Sequence, residues 1–464
     1  MRTETDSMGP MEVPDDALYG ASTQRALLNF PVSGHALPAA FVRGLGLVKL
    51  ACARANEELG RLSPEKSRLI QLAAREIAAG RWTAQFPIDV FQTGSGTSTN
   101  MNANEVIARR AGQLPGGERT ALHPNDEVNL GQSSNDIIPT ALHVSVALSL
   151  RGELAPALAV LEAALERKAT EFRSVVKLGR THLMDATPLT LGQEFSGYAA
   201  QVRKGAVRVE KALAALGELA VGGTAVGTGI NGHPEFAGRV CRILSAETGV
   251  VFREADNHFE AQAARDDAAE VAGLLATIAG SLTKVANDLR LLGSGPRGGL
   301  GELRLPATQP GSSIMPGKVN PVMSEMLVQA CLYAQALAHL VGLCGREGQL
   351  ELNATIPLIA YALHEAIRCL ANAARVFATA CVAGAEADAA RCRELVDRSL
   401  MLVTALVPRL GYDRAAAVAK EALVSGRTLR EVVLARQLLD PEELDRALDP
   451  AAMLEPPAGP PGPG

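Results

Sequence analysis

The chain has 464 residues, of which 47% are apolar and only 3% aromatic, with Trp82 as the single tryptophan. That length exceeds one small core and fits two or three domains, or one large helical unit. The 45 basic and 50 acidic residues leave a formal charge of −5. With no Lys/Arg block, the sequence excludes the electrostatic footprint of a nucleic-acid binder.

The first residues, Met1-Arg-Thr-Glu-Thr-Asp6, carry no apolar signal region, so a cytoplasmic location is expected. Residues 1–40 read as irregular, with short strand-like pieces. Helical periodicity starts near Phe41 and runs past Arg61, and a second helix is expected over 64–79. Residues 92–104 are small and polar, and Glu105–Ala111 turns helical. Residues 112–135 form another polar stretch containing proline and glycine. From Pro139 the pattern is strongly helical, with Leu154, Leu158, Leu161 and Leu165 on one face.

A further helix is expected over about 189–216, and Gly222–Gly229 then interrupts. Between 267 and 292, Val271, Leu274, Leu275, Ile278, Leu282, Val285, Leu289 and Leu292 keep the helical period. That helix would be roughly 39 Å long. Helices over about 322–344 and 357–385 complete a set of five, the pattern of an extended helical bundle. Residues 326–345 are uncharged for long enough to raise a membrane-spanning reading. Gln329, Gln335 and His339 favour a buried bundle helix instead, so no membrane is expected. Shorter helices follow from about 390. The proline-rich end, 455–464, is expected to be disordered. Seven scattered cysteines with no C-x-x-C pair read as reduced core thiols.

Five polar islands interrupt the helices: 92–104, 123–136, 179–188, 222–231 and 311–321. No metal motif such as H-E-x-x-H occurs, and the glycines of 222–229 lack the strand that a dinucleotide fingerprint needs. In the first island, Thr93-Gly-Ser-Gly-Thr97 suits a linker or a close backbone approach to a ligand. In the second, Ser133, Ser134, Asn135 and Asp136 are good N-caps, and a helix N-terminus also offers free amides to an anion. In the third, His182 lies among turn residues. It suits either a histidine satisfied by local backbone or an imidazole that orients water. In the fifth, Gly311-Ser-Ser-Ile-Met-Pro-Gly-Lys-Val-Asn-Pro321, two hydroxyls, an ammonium and a carboxamide occupy a segment that can be neither helix nor strand. Such a loop suits proton abstraction beside a carboxylate.

These residues carry a resemblance. Gly311–Pro321 matches the signature of the fumarase/aspartase superfamily. Together with Gln92-Thr-Gly-Ser-Gly-Thr97, His123-Pro-Asn-Asp126, Gln132-Ser-Ser-Asn-Asp136, Gly179–Pro188 and Gly222–Gly229, it makes the chain resemble the class II fumarases (fumarate hydratases). Aspartases typically carry Gly-Ala-Gly at Gly94-Ser-Gly96 and glutamine at His182. This chain has the fumarase form at both points, although Gly348–Asn353 also suits some aspartases. Aspartate ammonia-lyase is the alternative activity.

The resemblance implies a mainly α, three-domain fold. The domains would be residues 1–134, a central bundle 135–356 carrying the flexible loop 311–321, and a small helical domain 357–464. It implies a homotetramer whose five-helix bundles form a twenty-helix core, with each active site shared by three subunits. The reaction it implies is reversible hydration of fumarate to L-malate in the tricarboxylic acid cycle, with no cofactor and no metal.

By the same resemblance Ser312 is the base that takes the proton from malate C3. His182 activates or positions water, and Glu325 orients it. Ser95, Gly96, Thr97, Ser133, Ser134, Asn135, Thr181, Ser313, Lys318, Val319 and Asn320 bind the dicarboxylate. His123, Pro124, Asn125 and Asp126 form a second, peripheral site. There the family often has an arginine just before the histidine, where this chain has Thr120 beside Arg119.

Overall fold

The computed structural model describes residues 1–454, and the tail expected to be disordered, 455–464, lies outside the described residues. The chain opens on a hairpin, β1 (Arg2–Asp6) paired antiparallel with β2 (Gly9–Val13), followed by α1 (Ala21–Asn29). The first forty residues are therefore more ordered than their composition suggests. α2 (Ala39–Glu58) stops short of Arg61, because Gly60 at φ 69° turns the chain out of the helix, whereas α3 (Pro64–Ala78) falls where periodicity places it. Ser63 caps α3 by accepting the Lys66 N–H, and Pro64 occupies the first turn, where its missing N–H costs nothing.

α4 (Thr97–Gly112) begins eight residues before the expected Glu105. Its first two turns are polar because Asn100, Asn102 and Asn104 are buried, Asn100 bonding to Asn129 and Ser134 and Asn102 to the Gln85 carbonyl, so their polarity is not a sign of a loop. α5 (Ser134–Ser149) likewise starts before Pro139, which sits in its second turn. A π-turn at Leu150–Leu154 joins it to α6 (Ala155–Glu171), making one run of 38 residues.

Next come a second antiparallel hairpin, β3 (Val176–Thr181) with β4 (Met184–Thr190), and then α7 (Leu191–Ala215). α8 (Phe236–Thr248), α9 (His258–Ala263), α10 (Asp266–Leu292), α11 (Val322–Gly345) and α12 (Ile356–Phe377) follow. Thus the five long helices expected from sequence are present; the last was expected to reach 385, but α12 ends at Phe377 and passes into a π-turn over Ala378–Val382. The hairpin over the third island was not expected. Three runs, Ser134–Glu171, Asp266–Leu292 and Val322–Gly345, are long and apolar enough to cross a membrane by length and composition.

The backbone divides into two compact units. The first comprises 1–158, 205–280 and 329–372, and the second 159–204, 281–328 and 373–464. In the first, Phe41, Val42, Leu45 and Val48 of α2 pack with Leu69 and Ile70 of α3, Leu142 of α5, and Val240 and Leu244 of α8, all fully buried. His364 of α12 is satisfied within this core. Its Nε2 lies 2.9 Å from Ser145 Oγ and its Nδ1 3.2 Å from Ser149 Oγ, and burial pulls its pKa down to about 4, so it is neutral.

In the second unit, Phe172, Phe195 and Tyr198 stack edge to face at 5.2 and 5.5 Å. Leu178 of β3 packs into a cluster with Val396, Leu406, Val418, Val432 and Val433 from the shorter terminal helices. Six of the seven cysteines are buried and Cys369 is half-buried; all are free thiols.

Candidate active site

In the first unit, the sequence-selected residues gather at the N-termini of α4 and α5. Gly94 is pressed against the chain entering α12. A Cβ there would lie 1.8 Å from the Ala354 carbonyl oxygen, and Gly94 itself accepts the Ile356 N–H at 3.0 Å. Gly96, at φ 76°, turns the chain into α4 through the left-handed region that only glycine adopts freely. Gly96 has no side chain with which to cap α4, and Gln92 takes that part: its Oε1 accepts the Thr99 N–H at 3.1 Å and the Thr99 hydroxyl at 2.8 Å. Ser95 Oγ and Thr97 Oγ1 are hydrogen-bonded at 2.8 Å.

α5, in contrast, carries a full capping box. Ser133 Oγ accepts the Asn135 N–H at 3.2 Å, and Asp136 Oδ1 accepts the Ser133 N–H at 2.9 Å. Asp136 does more than cap. Its other oxygen accepts the N–H groups of Gly222 and Thr224, both at 3.0 Å, and Asn135 Nδ2 donates to the Ala225 carbonyl at 2.8 Å. The glycine-rich fourth island is thereby fastened over the start of α5. Burial raises the Asp136 carboxyl to about 6 despite these three donors. Capping and ligand presentation can coexist here: Ser133 Oγ accepts for the cap and keeps its own proton to donate, and Ser134 Oγ accepts from Asn100 Nδ2 at 3.0 Å.

His123, Asn125 and Asp126 come together as a separate cluster. His123 begins a π-turn over 124–128. Its Nδ1 accepts the N–H groups of Asn125 and Asp126, each at 3.3 Å, and lies 3.3 Å from Asp126 Oδ2. His123, Pro124 and Asn125, but not Asp126, line a cleft of about 750 Å³ that also contains Glu4, Asp6, Glu105 and Arg109. Thr120 is tied to Glu65 at 2.9 Å, and Arg119 is exposed.

In the second unit, Thr181 ends β3 and His182 and Leu183 form the two-residue turn into β4. Both turn residues have positive φ, 57° and 63°. A two-residue hairpin turn of this kind requires it, and non-glycine residues adopt it at a cost. Beneath the turn, Arg180 pairs with the buried Glu302 at 2.9 Å, and Lys177 lies 3.0 Å from Glu194. The imidazole of His182 is exposed and makes no protein hydrogen bond among the described residues, so it is not a histidine satisfied by local backbone.

The 311–321 loop closes on itself. The Gly311 N–H donates to the Lys318 carbonyl at 2.9 Å, and Asn320 Nδ2 donates to the Gly311 carbonyl at 2.7 Å. Inside this closure the N–H groups of Ile314 and Met315 converge on Ser312 Oγ at 3.3 and 3.0 Å. Two donors on a hydroxyl oxygen favour its deprotonated form. Ser313, Lys318 and Val319 are exposed, and the Lys318 ammonium has no ion pair among the described residues. Glu325 sits in the first turn of α11, where the helix dipole favours a carboxylate.

Sequence reasoning missed Asn100, which lies one turn into α4 and bridges to Asn129 and Ser134. The available signal was three asparagines at alternate positions, Asn100, Asn102 and Asn104, in a segment read as loop.

A family model described as lyase matches residues 9–335, and one described as the fumarase C C-terminus matches residues 402–455. The class II fumarate hydratase of Corynebacterium glutamicum is 52% identical, over 97% of this chain and 96% of that protein. That of Mycobacterium tuberculosis is also 52% identical, with the same coverage. Among solved structures, a class II fumarase from Schistosoma mansoni is 41% identical over 97% of this chain and 98% of that one, with a TM-score of 0.93. A protein from Brucella melitensis described as fumarate lyase:delta crystallin is 46% identical over 98% and 100%, with a TM-score of 0.94. Matched along nearly its whole length by such relatives, the chain belongs to the class II fumarate hydratase family.

Proposed function

We propose that this chain is a fumarate hydratase that adds water reversibly to fumarate, giving (S)-malate, as a cytoplasmic step of the tricarboxylic acid cycle. In the dehydrating direction, Ser312 takes the proton from C3 of malate. The electron pair moves into the adjacent carboxylate, forming a doubly charged aci-carboxylate. The C2–O bond then breaks, and the hydroxyl leaves as water with a proton from the group formed by His182 and Glu325. The observation that carries this reading is the convergence of two backbone N–H groups on Ser312 Oγ, in the loop that also bears Lys318 and Asn320. A serine is a poor base unless its alkoxide is stabilised. The two fixed donors, with the Lys318 ammonium on the same loop, would supply that stabilisation.

Ser95, Gly96, Thr97, Ser133, Ser134, Asn135, Thr181, Ser313 and Val319 complete the dicarboxylate pocket, and His123, Pro124, Asn125 and Asp126 form the outer site. The active unit is a homotetramer with sites shared by three subunits. Its helical core covers faces that one chain leaves open, such as Leu332 and Tyr333 of α11, which are 57% and 44% exposed. The domain limits remain 1–134, 135–356 and 357–464.

The test is to follow the ultraviolet absorbance of fumarate appearing from L-malate and, separately, from L-aspartate, alongside sedimentation. Fumarate from malate by a tetramer is expected. Release from aspartate alone, or a fully active monomer, would contradict the proposal.

A further inference from the structure

One charge in the first unit has no place in the chemistry above. Lys49 of α2 is fully buried. Its ammonium donates to Asn129 Oδ1 at 3.0 Å and to Gln132 Oε1 at 2.9 Å. An ammonium can only donate, so it obliges both carboxamides to turn their oxygens inward. The consequence propagates. Asn129 Oδ1 also accepts from Asn100 Nδ2 at 3.2 Å, and the same Nδ2 donates to Ser134 Oγ at 3.0 Å. Flipping Asn100 would set its oxygen against that of Asn129. With Ser134 Oγ held as an acceptor, its own proton is directed to whatever lies beyond, and an acceptor-only carboxylate is the partner that fits.

We infer that Lys49 is a positioning residue for dicarboxylate binding. Its buried ammonium sets the polarity of the chain Lys49–Asn129–Asn100–Ser134, so that Ser134 presents a donor to the substrate carboxylate. This rests on the reading of Ser134 as a substrate ligand. The geometry makes Lys49 more than a packing residue, because nothing apolar could impose a direction on two carboxamides. It also gives binding a proton linkage. Burial lowers the free Lys49 ammonium to about 8, and the ionisable groups whose charges reach it are Cys52 of its own helix and Asp136 of α5. Cys52, which Cys241 of α8 also faces, is pushed far up and stays neutral, while Asp136 is already ionised at that pH. A bound dianion therefore raises the pKa of Lys49 and draws a proton onto it.

The experiment is calorimetric titration of succinate, a non-reacting dicarboxylate, at pH 8 in buffers of different ionisation enthalpy, on wild type and Lys49→Met. Wild type should take up a fraction of a proton, whereas the variant should take up none and bind about tenfold more weakly, the scale of one charge-assisted hydrogen bond. Its KM for L-malate should rise by the same factor, with kcat within about threefold, because the contact is made equally in the ground and transition states. The wild-type arm stands even if the variant folds poorly. Binding without proton uptake, or uptake unchanged in Lys49→Met, would overturn the inference alone. Failure of wild type to bind succinate would overturn both it and the pocket on which it rests.

Discussion

The start of α5 and the 311–321 loop both carry serines assigned to the same substrate, yet they are built in opposite ways. At α5, Asp136 accepts three backbone N–H groups and Ser134 is buried against Asn100. In the loop, the side-chain hydrogen bonds of Ser312 and Asn320 are internal to its eleven residues, and Ile314, Met315 and Lys318 are exposed. Groups that only hold a carboxylate gain from rigidity, because ordering them on binding would cost affinity. Groups that must meet a reacting carbon gain from a segment able to close over it. The difference implies that binding is largely preformed and chemistry is assembled, a division that substitutions can break.

The largest effect is expected for Ser312→Ala. Turnover should fall by about a thousandfold with KM little changed, read from initial rates on L-malate, as for loss of a group that acts only in the transition state. Should KM carry the loss instead, the loop would be a binding element like α5. His182→Asn should lower kcat by about a hundredfold, again with little change in KM. Since the His182 side chain makes no protein hydrogen bond among the described residues, its thermal midpoint should stay put.

Gly94→Ala probes the other side. Its Cβ would collide with the Ala354 carbonyl, so a stability loss of about 3 kcal/mol is expected, measured as a lowered denaturation midpoint. The smallest effect is assigned to Ser133→Ala. Losing the α5 cap should cost about 1 kcal/mol, with kcat within about twofold of wild type. A large drop in turnover from that variant would mean that the cap takes part in chemistry, and would erase the distinction between the two regions.

How much of this was legible in the sequence follows from which forces set each part. The long helices were readable because Val271 through Leu292 repeat at the helical period and bury that face. The α5 cap was readable because Ser133 and Asp136 stand at the capping-box spacing. The start of α4 was not, because Asn100, Asn102 and Asn104 are polar side chains whose burial depends on distant segments, and local pattern cannot report that. Nor was the β3–β4 turn, since His182 and Leu183 hold positive φ against their own preference. The chemistry of Ser312 was visible as composition, but the two N–H groups that meet its oxygen exist only once the loop has closed.

The most direct measurement pairs kcat with the dissociation constant of L-malate or a non-reacting analogue for two serine variants, Ser312→Ala and Ser134→Ala, in the same preparation conditions. Ser312→Ala should keep its affinity and lose turnover, while Ser134→Ala should bind about tenfold more weakly and keep most of its kcat. If the two variants lost affinity and turnover in the same proportions, or with the roles exchanged, the separation of a preformed binding region from a closing catalytic loop would be contradicted.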